Sequence, residues 1–312
     1  MMFTLDEQME ADLIKLRNNG LKKGAYCGWE SLHEHYSLKE GSTTYIVAPP
    51  AVGKTSFVSE LVMNLAEFED WKWVIFSPEV GSPRDLFAEL LWVKLRKPFL
   101  KYDKRKDSKD AEVKAAIKFV KEHFYIIDPV HADLNEHIYF KTIKDIQEKY
   151  KVKINGTVID PVTDFEISGQ QRDLALGRFL TRVRKFSSSY GIHSVLAFHT
   201  KSMGYTEGET VDGTKIRYLP PATMFDVAGG EMASRKGMFI LSLWRTPYNV
   251  VDKETGAVYP PNETRVNILK AKPKSIGKIG TIKLYYDALS SRYYELDGDT
   301  KCYSQPQNKD AV

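Results

Sequence analysis

Residues 43–56 read Thr43-Thr44-Tyr45-Ile46-Val47-Ala48-Pro49-Pro50-Ala51-Val52-Gly53-Lys54-Thr55-Ser56. Thr44 to Val47 is a short apolar run that reads as a strand, and the stretch from Lys54 to about Phe68 reads as a helix. A Gly-Lys-Thr loop between a strand and a helix is the setting in which backbone N–H groups and a helix N-terminus hold phosphates. Ala48, Pro49, Pro50, Ala51, Val52, Gly53, Lys54, Thr55 and Ser56 are therefore the expected contacts of ATP or another nucleoside triphosphate. Lys54 offers a point charge to the outer phosphates, and the Thr55 hydroxyl reaches the magnesium ion that accompanies them. The first position of such a loop is usually glycine. Here it is Ala48, which fits only at negative φ.

Outward from this loop, strand and helix alternate. Trp73-Val74-Ile75-Phe76 is a second strand, followed by a helix from Pro83 to about Leu95. Residues 125–127, 157–159 and 194–198 are further strands, each after a helical stretch. Such alternation implies a parallel sheet covered by helices, with ligands at the carboxyl ends of its strands. Polar residues stand at those ends. Asp160 closes Thr157-Val158-Ile159 and is placed for a second magnesium contact beside Thr55. Its neighbour is Pro161, so no acid follows it directly. Glu79, in Phe76-Ser77-Pro78-Glu79, is then the expected base that orients a water. His199 closes the strand at 194–198, where it can touch a γ-phosphate and report its loss to the loop that follows.

The remaining segments are plainer. Residues 1–22 form a short amphipathic helical arm, with Leu5, Met9, Leu13 and Leu16 at helical spacing and a stop at Asn18-Asn19-Gly20. Its apolar stripe needs a partner, either this chain's own core or a neighbouring subunit. Residues 21–36 read as linker-like, and the charged run 101–114 as an exposed connection. Residues 201–221 are rich in Gly, Thr and charge and read as a mobile surface loop. Residues 239–243, 265–269, 281–286 and 293–296 read as antiparallel strands that close the sheet. A tail at 298–312 has little apolar content and is expected to be disordered.

With 312 residues, 42% hydrophobic and 28% charged, the composition is that of an ordinary soluble globular protein. No apolar run approaches the ~20 residues that cross a bilayer. The opening MMFTLDEQMEADL has no basic leader before an apolar core, so neither a membrane partner nor a signal peptide is expected. Cys27 and Cys302 are the only cysteines, which suits a reducing, cytoplasmic compartment. The net charge of +4 is too small to name a partner. Arg172, Arg178, Arg182, Arg184 and Lys185 form one basic stretch, and Lys270, Lys272, Lys274 and Lys278 another. Each, taken alone, reads as a solvated helix face or a soluble hairpin.

Taken in order, these segments resemble the DnaB-type, RecA-like replicative helicases, including the phage primase–helicases, over residues 23–296. Residues 23–54 look like that family's opening segment and phosphate loop. Phe76-Ser77-Pro78-Glu79 looks like the motif of the catalytic glutamate, and Val158-Ile159-Asp160 like the Walker B strand. Phe198-His199-Thr200-Lys201 resembles the phosphate-sensing strand end, with histidine as in phage members. Val227-Ala228-Gly229-Gly230-Glu231, running on to Leu243-Trp244-Arg245, resembles the segment that lines the central channel. Lys270-Ala271-Lys272-Pro273-Lys274, then Gly280-Thr281-Ile282, resembles the terminal hairpin.

The resemblance implies an α/β fold at 23–297. It would be a RecA-like P-loop NTPase core with a mainly parallel central sheet, C-terminal antiparallel strands ending in a hairpin, and the short helical arm ahead of it. It also implies a ring, a hexamer, that hydrolyses ATP and translocates 5′ to 3′ on single-stranded DNA, in the host cytoplasm if the chain is of phage origin. A separate primase or loader would be a further partner. Lys54, Glu79 and His199 would act from one subunit, and Lys272 and Lys274 would reach the ATP of the next. Arg172, Gly229, Gly230, Arg235 and Lys236, in loops near 168–172 and 228–236, would hold the strand by its phosphates, without a base code. This chain departs from the pattern at Ala48, and at Lys274, where an arginine finger is expected and lysine lacks the planar fork. Two other readings share the core: a RecA/RadA-like recombinase ATPase, and a nucleotide-binding helicase loader or accessory subunit with weak hydrolysis.

Overall fold

The structure, a computed structural model, describes residues 5–20, 23–100, 108–129, 134–164, 172–253, 255–273 and 276–307, with backbone alone at 164, 172 and 173. α1 (Glu7–Asn19) opens on Asp6, whose carboxylate accepts from the Met9 N–H, and it buries none of its residues. α2 (Glu30–His35) precedes β1 (Thr43–Ala48), and α3 (Lys54–Glu69) leads to β2 (Trp73–Phe76). Then come α4 (Pro83–Leu95), α5 (Asp110–His123), β3 (Phe124–Ile126), α6 (Glu136–Tyr150) and β4 (Gly156–Ile159). α7 (Arg172–Tyr190) and β5 (His193–His199) are followed by the hairpin β6 (Thr206–Glu209) and β7 (Lys215–Tyr218). The chain closes with α8 (Gly230–Lys236), β8 (Phe239–Arg245), β9 (Glu263–Ala271), β10 (Gly280–Asp287), β11 (Arg292–Asp297) and β12 (Thr300–Tyr303).

Among the described residues, ten strands form one sheet in the order β12-β11-β10-β9-β8-β1-β5-β4-β2-β3. From β8 to β3 the strands run parallel. From β9 to β12 they are antiparallel. The sequence explains the difference. β1, β2 and β4 are buried at every position, as strands covered by helices on both faces must be. One face packs on Phe57, Leu61 and Leu65 of α3, Leu86 and Leu90 of α4, and Val120 of α5. The other packs on Tyr139 and Ile143 of α6 and Phe179, Leu180 and Val183 of α7. An α/β fold with a mainly parallel sheet and antiparallel C-terminal strands is what the sequence led us to expect.

Several local expectations are corrected. Residues 23–36 are no linker: Cys27, Trp29, Leu32 and Tyr36 are fully buried, and Trp29 stacks on Phe57 at 5.6 Å between ring centroids. Large apolar side chains without helical spacing hid this from a reading by periodicity. β8 pairs with β1 in parallel and with β9 antiparallel, so it belongs to both halves of the sheet. Residues 206–218 form an ordered hairpin rather than a loop, and Ile216 and Tyr218 pack on a small core of Trp244, Val250 and Tyr259. The alternation Lys215-Ile216-Arg217-Tyr218 was the available signal. The expected disordered tail begins too early, because residues 300–303 pair with β11 as an edge strand. Residues 1–4, 101–107, 168–171, 274 and 308–312, on which other expectations fell, lie outside the described residues.

Candidate nucleotide-binding site

The phosphate loop leaves β1 at Ala48, which is buried and still in the strand, and which is not among the positive-φ residues. The condition for replacing the first glycine is therefore met. The left-handed turn falls instead on Ala51 (φ 60°) and Gly53 (φ 98°). An alanine in that region carries strain on the order of 1 kcal/mol, of the kind that concentrates at functional loops. α3 starts at Lys54 with no side-chain cap, so its first N–H groups are free to receive an anion.

Side chains from the ends of three strands meet those of Lys54 and Thr55 at this helix start. Thr55 Oγ1 donates to Asp160 Oδ2 at 2.8 Å. Lys54 Nζ lies 3.4 Å from Asp160 Oδ1 and 3.7 Å from Glu79 Oε2. His199 Nε2 lies 3.7 Å from the same Glu79 oxygen. The register of β1 against β5 sets Ala48 beside His199, which brings the histidine to the mouth of the loop. β5 lies between β1 and β4, yet Asp160 still reaches Lys54 across it. Pro49, Pro50, Ala51, Gly53, Lys54, Thr55, Ser56, Glu79, Val80, Glu89 and His199 enclose a cleft of about 370 Å³.

The electrostatics fit a polyanion with a divalent cation. Among the described residues, Lys54 Nζ, Asp160 Oδ1 and His199 Nδ1 are buried polar atoms that form no hydrogen bond, although Lys54 and Asp160 face each other as an ion pair. Buried atoms of this kind cost free energy unless something pairs with them. Burial pushes the Asp160 carboxyl above its ordinary range, against the pull of Lys54 and of the Thr55 hydrogen bond. A cation beside Asp160 would reverse that and favour the carboxylate. Thr55 and Asp160 together form an oxygen pair suited to magnesium, the ion of phosphate sites. Glu89, on α4, was not anticipated. Burial, then the neighbouring Asp160 charge, raises its carboxyl to about 7. Its signal was an acid three residues after the buried Leu86, on the side of α4 that faces the core.

A second concavity, of about 750 Å³, lies beyond His199 and is lined by Arg184, Lys201, Gly229, Gly230, Glu231, Met232, Arg235 and Lys236. Gly229 and Gly230 both have positive φ (92° and 63°), and a Cβ on Gly230 would meet Lys201 Nζ at 2.7 Å. The positive φ favours glycine at both positions, whereas the Lys201 ammonium, at the end of a flexible side chain, can move aside. Backbone bonds join the two sites: Ala228 N–H donates to the His199 carbonyl at 3.2 Å, and Lys201 N–H to that of Asp226 at 2.8 Å. Of the expected strand-holding residues, Gly229, Gly230, Arg235 and Lys236 come together, while the Arg172 side chain lies outside the described residues. Lys201 and Arg184 are additions. Lys270 is committed elsewhere, since its ammonium donates to the Ser234 and Arg235 carbonyls at the end of α8. Lys272, exposed at the β9–β10 connection, does not line the nucleotide cleft of its own chain, and Lys274 lies outside the described residues.

Fold and site together are those of a RecA-like α/β core with a P-loop cleft at the carboxyl ends of its parallel strands. The chain is similar in structure to a solved ATPase domain that it matches from end to end (TM-score 0.72, 16% identity, 95% of this chain and all of that one). It is similar to a DnaB-like replicative helicase solved for its interactions with primase (TM-score 0.70, 16% identity, 95% of this chain and 68% of that one). In sequence it is 23% identical over 295 residues to a Twinkle homolog protein, chloroplastic/mitochondrial, of Arabidopsis thaliana. That alignment takes in 91% of this chain and 38% of the relative's length. No protein-family model matches the chain. The resemblance to DnaB-type helicases read from the motifs is borne out by these neighbours.

Proposed function

We propose that this chain is the motor of a ring-forming DNA helicase that hydrolyses ATP and moves along single-stranded DNA. The observation that carries the reading is the meeting of Lys54, Thr55, Asp160, Glu79 and His199 around one cleft. Lys54 and the helix N-terminus would hold the β- and γ-phosphates. Magnesium, held by Thr55 and Asp160, would neutralise charge on the phosphate oxygens. Glu79 would orient a water in line with the γ-phosphate and take its proton. His199 would sense that phosphate and, through the 199–228 and 201–226 backbone bonds, move the basic concavity that grips the strand.

Assembly is supported by α1, whose Met9, Leu13, Ile14 and Leu16 are exposed, with Leu5 just ahead of them, on a helix with no buried residue. Lys272 is exposed and does not line its own cleft, as expected of a residue that completes a neighbour's site. A hexamer is our reading of this arrangement, with Lys274 as a second trans-acting cation. Strand displacement on a forked duplex, with mass measured by light scattering in the same buffer, tests the proposal. The expected result is ATP-dependent unwinding by a species several times the mass of one chain. A monomer that binds nucleotide and never unwinds would favour the loader reading, and a filament on DNA the recombinase reading.

A further inference from the structure

Tyr293, on β11, is 1% exposed and has every polar group committed. Its N–H donates to Glu60 Oε2 at 2.5 Å, and its carbonyl accepts from Trp29 Nε1 at 3.3 Å. Its ring meets Phe57 edge-on at 5.9 Å and Tyr286 at 5.0 Å. Next to it, Arg292 Nε donates to Glu60 Oε1 at 3.0 Å, an ion pair buried on both sides. Glu60 sits in the middle of α3, the helix that starts at Lys54. These bonds therefore fix β11 against the helix that carries the phosphate loop.

The Tyr293 hydroxyl then reaches past the helix to the loop itself, donating to the Gly53 carbonyl at 3.3 Å. That carbonyl also accepts from the Phe57 N–H at 3.0 Å, the first bond of α3. Gly53 is the pivot of the loop, with φ 98°, and a Cβ there would stand 2.9 Å from the Tyr293 oxygen. Burial pushes the tyrosine's ionisation upward, so the hydroxyl stays a donor through the working pH range.

We propose that Tyr293 is a positioning residue for the nucleotide site. Its hydroxyl pins Gly53, so the C-terminal sheet sets the conformation in which the loop offers its N–H groups and Lys54 to the phosphates. This rests on the reading of the cleft as a nucleotide site, but the pin itself does not. Glycine at the pivot is free to turn, and a second bond on its carbonyl restricts that freedom before any ligand arrives. The catalytic carboxylates belong to other strands and are untouched by the pin.

Tyr293→Phe tests this, because it keeps the ring contacts and both backbone bonds and removes only the hydroxyl. In the nucleotide-free protein, amide hydrogen exchange at Gly53 to Phe57 should quicken several-fold, while the β1 and β4 amides keep their protection. With ATP and magnesium as the probe, KM should rise about three- to tenfold, the size of one hydrogen bond, with kcat nearly unchanged. Tyr286→Phe, which removes a hydroxyl bonded to Ser291 Oγ at 3.1 Å, serves as control and should alter neither. A merely structural role would lower the melting temperature and leave KM alone. Unchanged exchange at Gly53 to Phe57 overturns the pin whatever ATP does. Quickened exchange in a protein that fails to bind ATP would support the pin and count against the nucleotide reading.

Discussion

Glu79 and His199 stand 3.7 Å apart, carboxylate Oε2 to imidazole Nε2, between the ends of β2 and β5. The same carboxylate oxygen is 3.7 Å from Lys54 Nζ. One carboxylate thus lies beside both Lys54 and His199. With 46% of its side chain exposed, it can still meet a water and a γ-phosphate. In the proposed mechanism a group so placed links hydrolysis to the segment that follows His199.

Glu79→Gln is expected to bind ATP within about threefold of the unaltered protein and to lose hydrolysis by about 10²-fold or more. The amide still hydrogen-bonds a water but cannot take its proton. Nucleotide titration beside single-turnover rates checks this. A variant that keeps most of its turnover would move the base to another carboxylate, with Glu89 next in line.

Glu89 makes a pH prediction for the nucleotide-free, magnesium-free protein. Its carboxyl is raised from 4.5 to about 7, so between those values the folded chain holds a proton that the unfolded chain has released. Stability therefore falls as pH rises through that window, and the full cost is present above pH 7. Glu89→Gln removes a cost on the order of 3 kcal/mol at pH 8. Its melting temperature should exceed the parent's by a few degrees at pH 8, and the gap should close near pH 4.5. A gap that is equal at both ends would mean that Glu89 is not desolvated.

Arg235 and Lys236 should set part of the salt dependence of single-strand binding. Each phosphate contact releases counterions, about 0.7 per contact on a single strand. Replacing both with alanine is expected to flatten the slope of log affinity against log salt by about 1.4. An unchanged slope in fluorescence anisotropy titrations would remove the strand from this concavity.

The sequence made most of this site legible because its residues sit at strand ends, where a short apolar run stops on one polar residue. Asp160 and His199 were found in that way, Glu79 as the acid just past β2 once Pro161 left none after Asp160, and Lys54 and Thr55 by their loop. What escaped was set by tertiary approach rather than by pattern. Glu89 lies on a helix with no motif, and Tyr293 meets Gly53 across 240 residues. Trp29 is core because α3 and β11 close over it, which no local period announces. The hairpin at 206–218 was hidden by composition, because Gly, Thr and charge read as loop until Ile216 and Tyr218 find Trp244 and Val250.

If Lys272 and Lys274 complete a neighbour's site, a chain with both changed to alanine should bind nucleotide normally and hydrolyse poorly once assembled. Its own loop is intact, but the developing charge on the γ-phosphate loses its partner. Mixing it with Glu79→Gln chains creates some interfaces that pair an intact loop with intact lysines. Partial recovery above either variant alone is the expected result. A mixture that stays inactive while assembly is confirmed would make the hairpin an ordinary basic surface.

The Lys54 cleft is proposed to hydrolyse ATP in response to a bound single strand. The rate of ATP hydrolysis, with and without single-stranded DNA, in the unaltered protein and in Lys54→Ala, tests it most directly. The expected result is magnesium-dependent hydrolysis that rises several-fold with the strand, and its loss in a Lys54→Ala protein whose circular dichroism is unchanged. Equal rates in the two proteins, or hydrolysis indifferent to the strand, would contradict it.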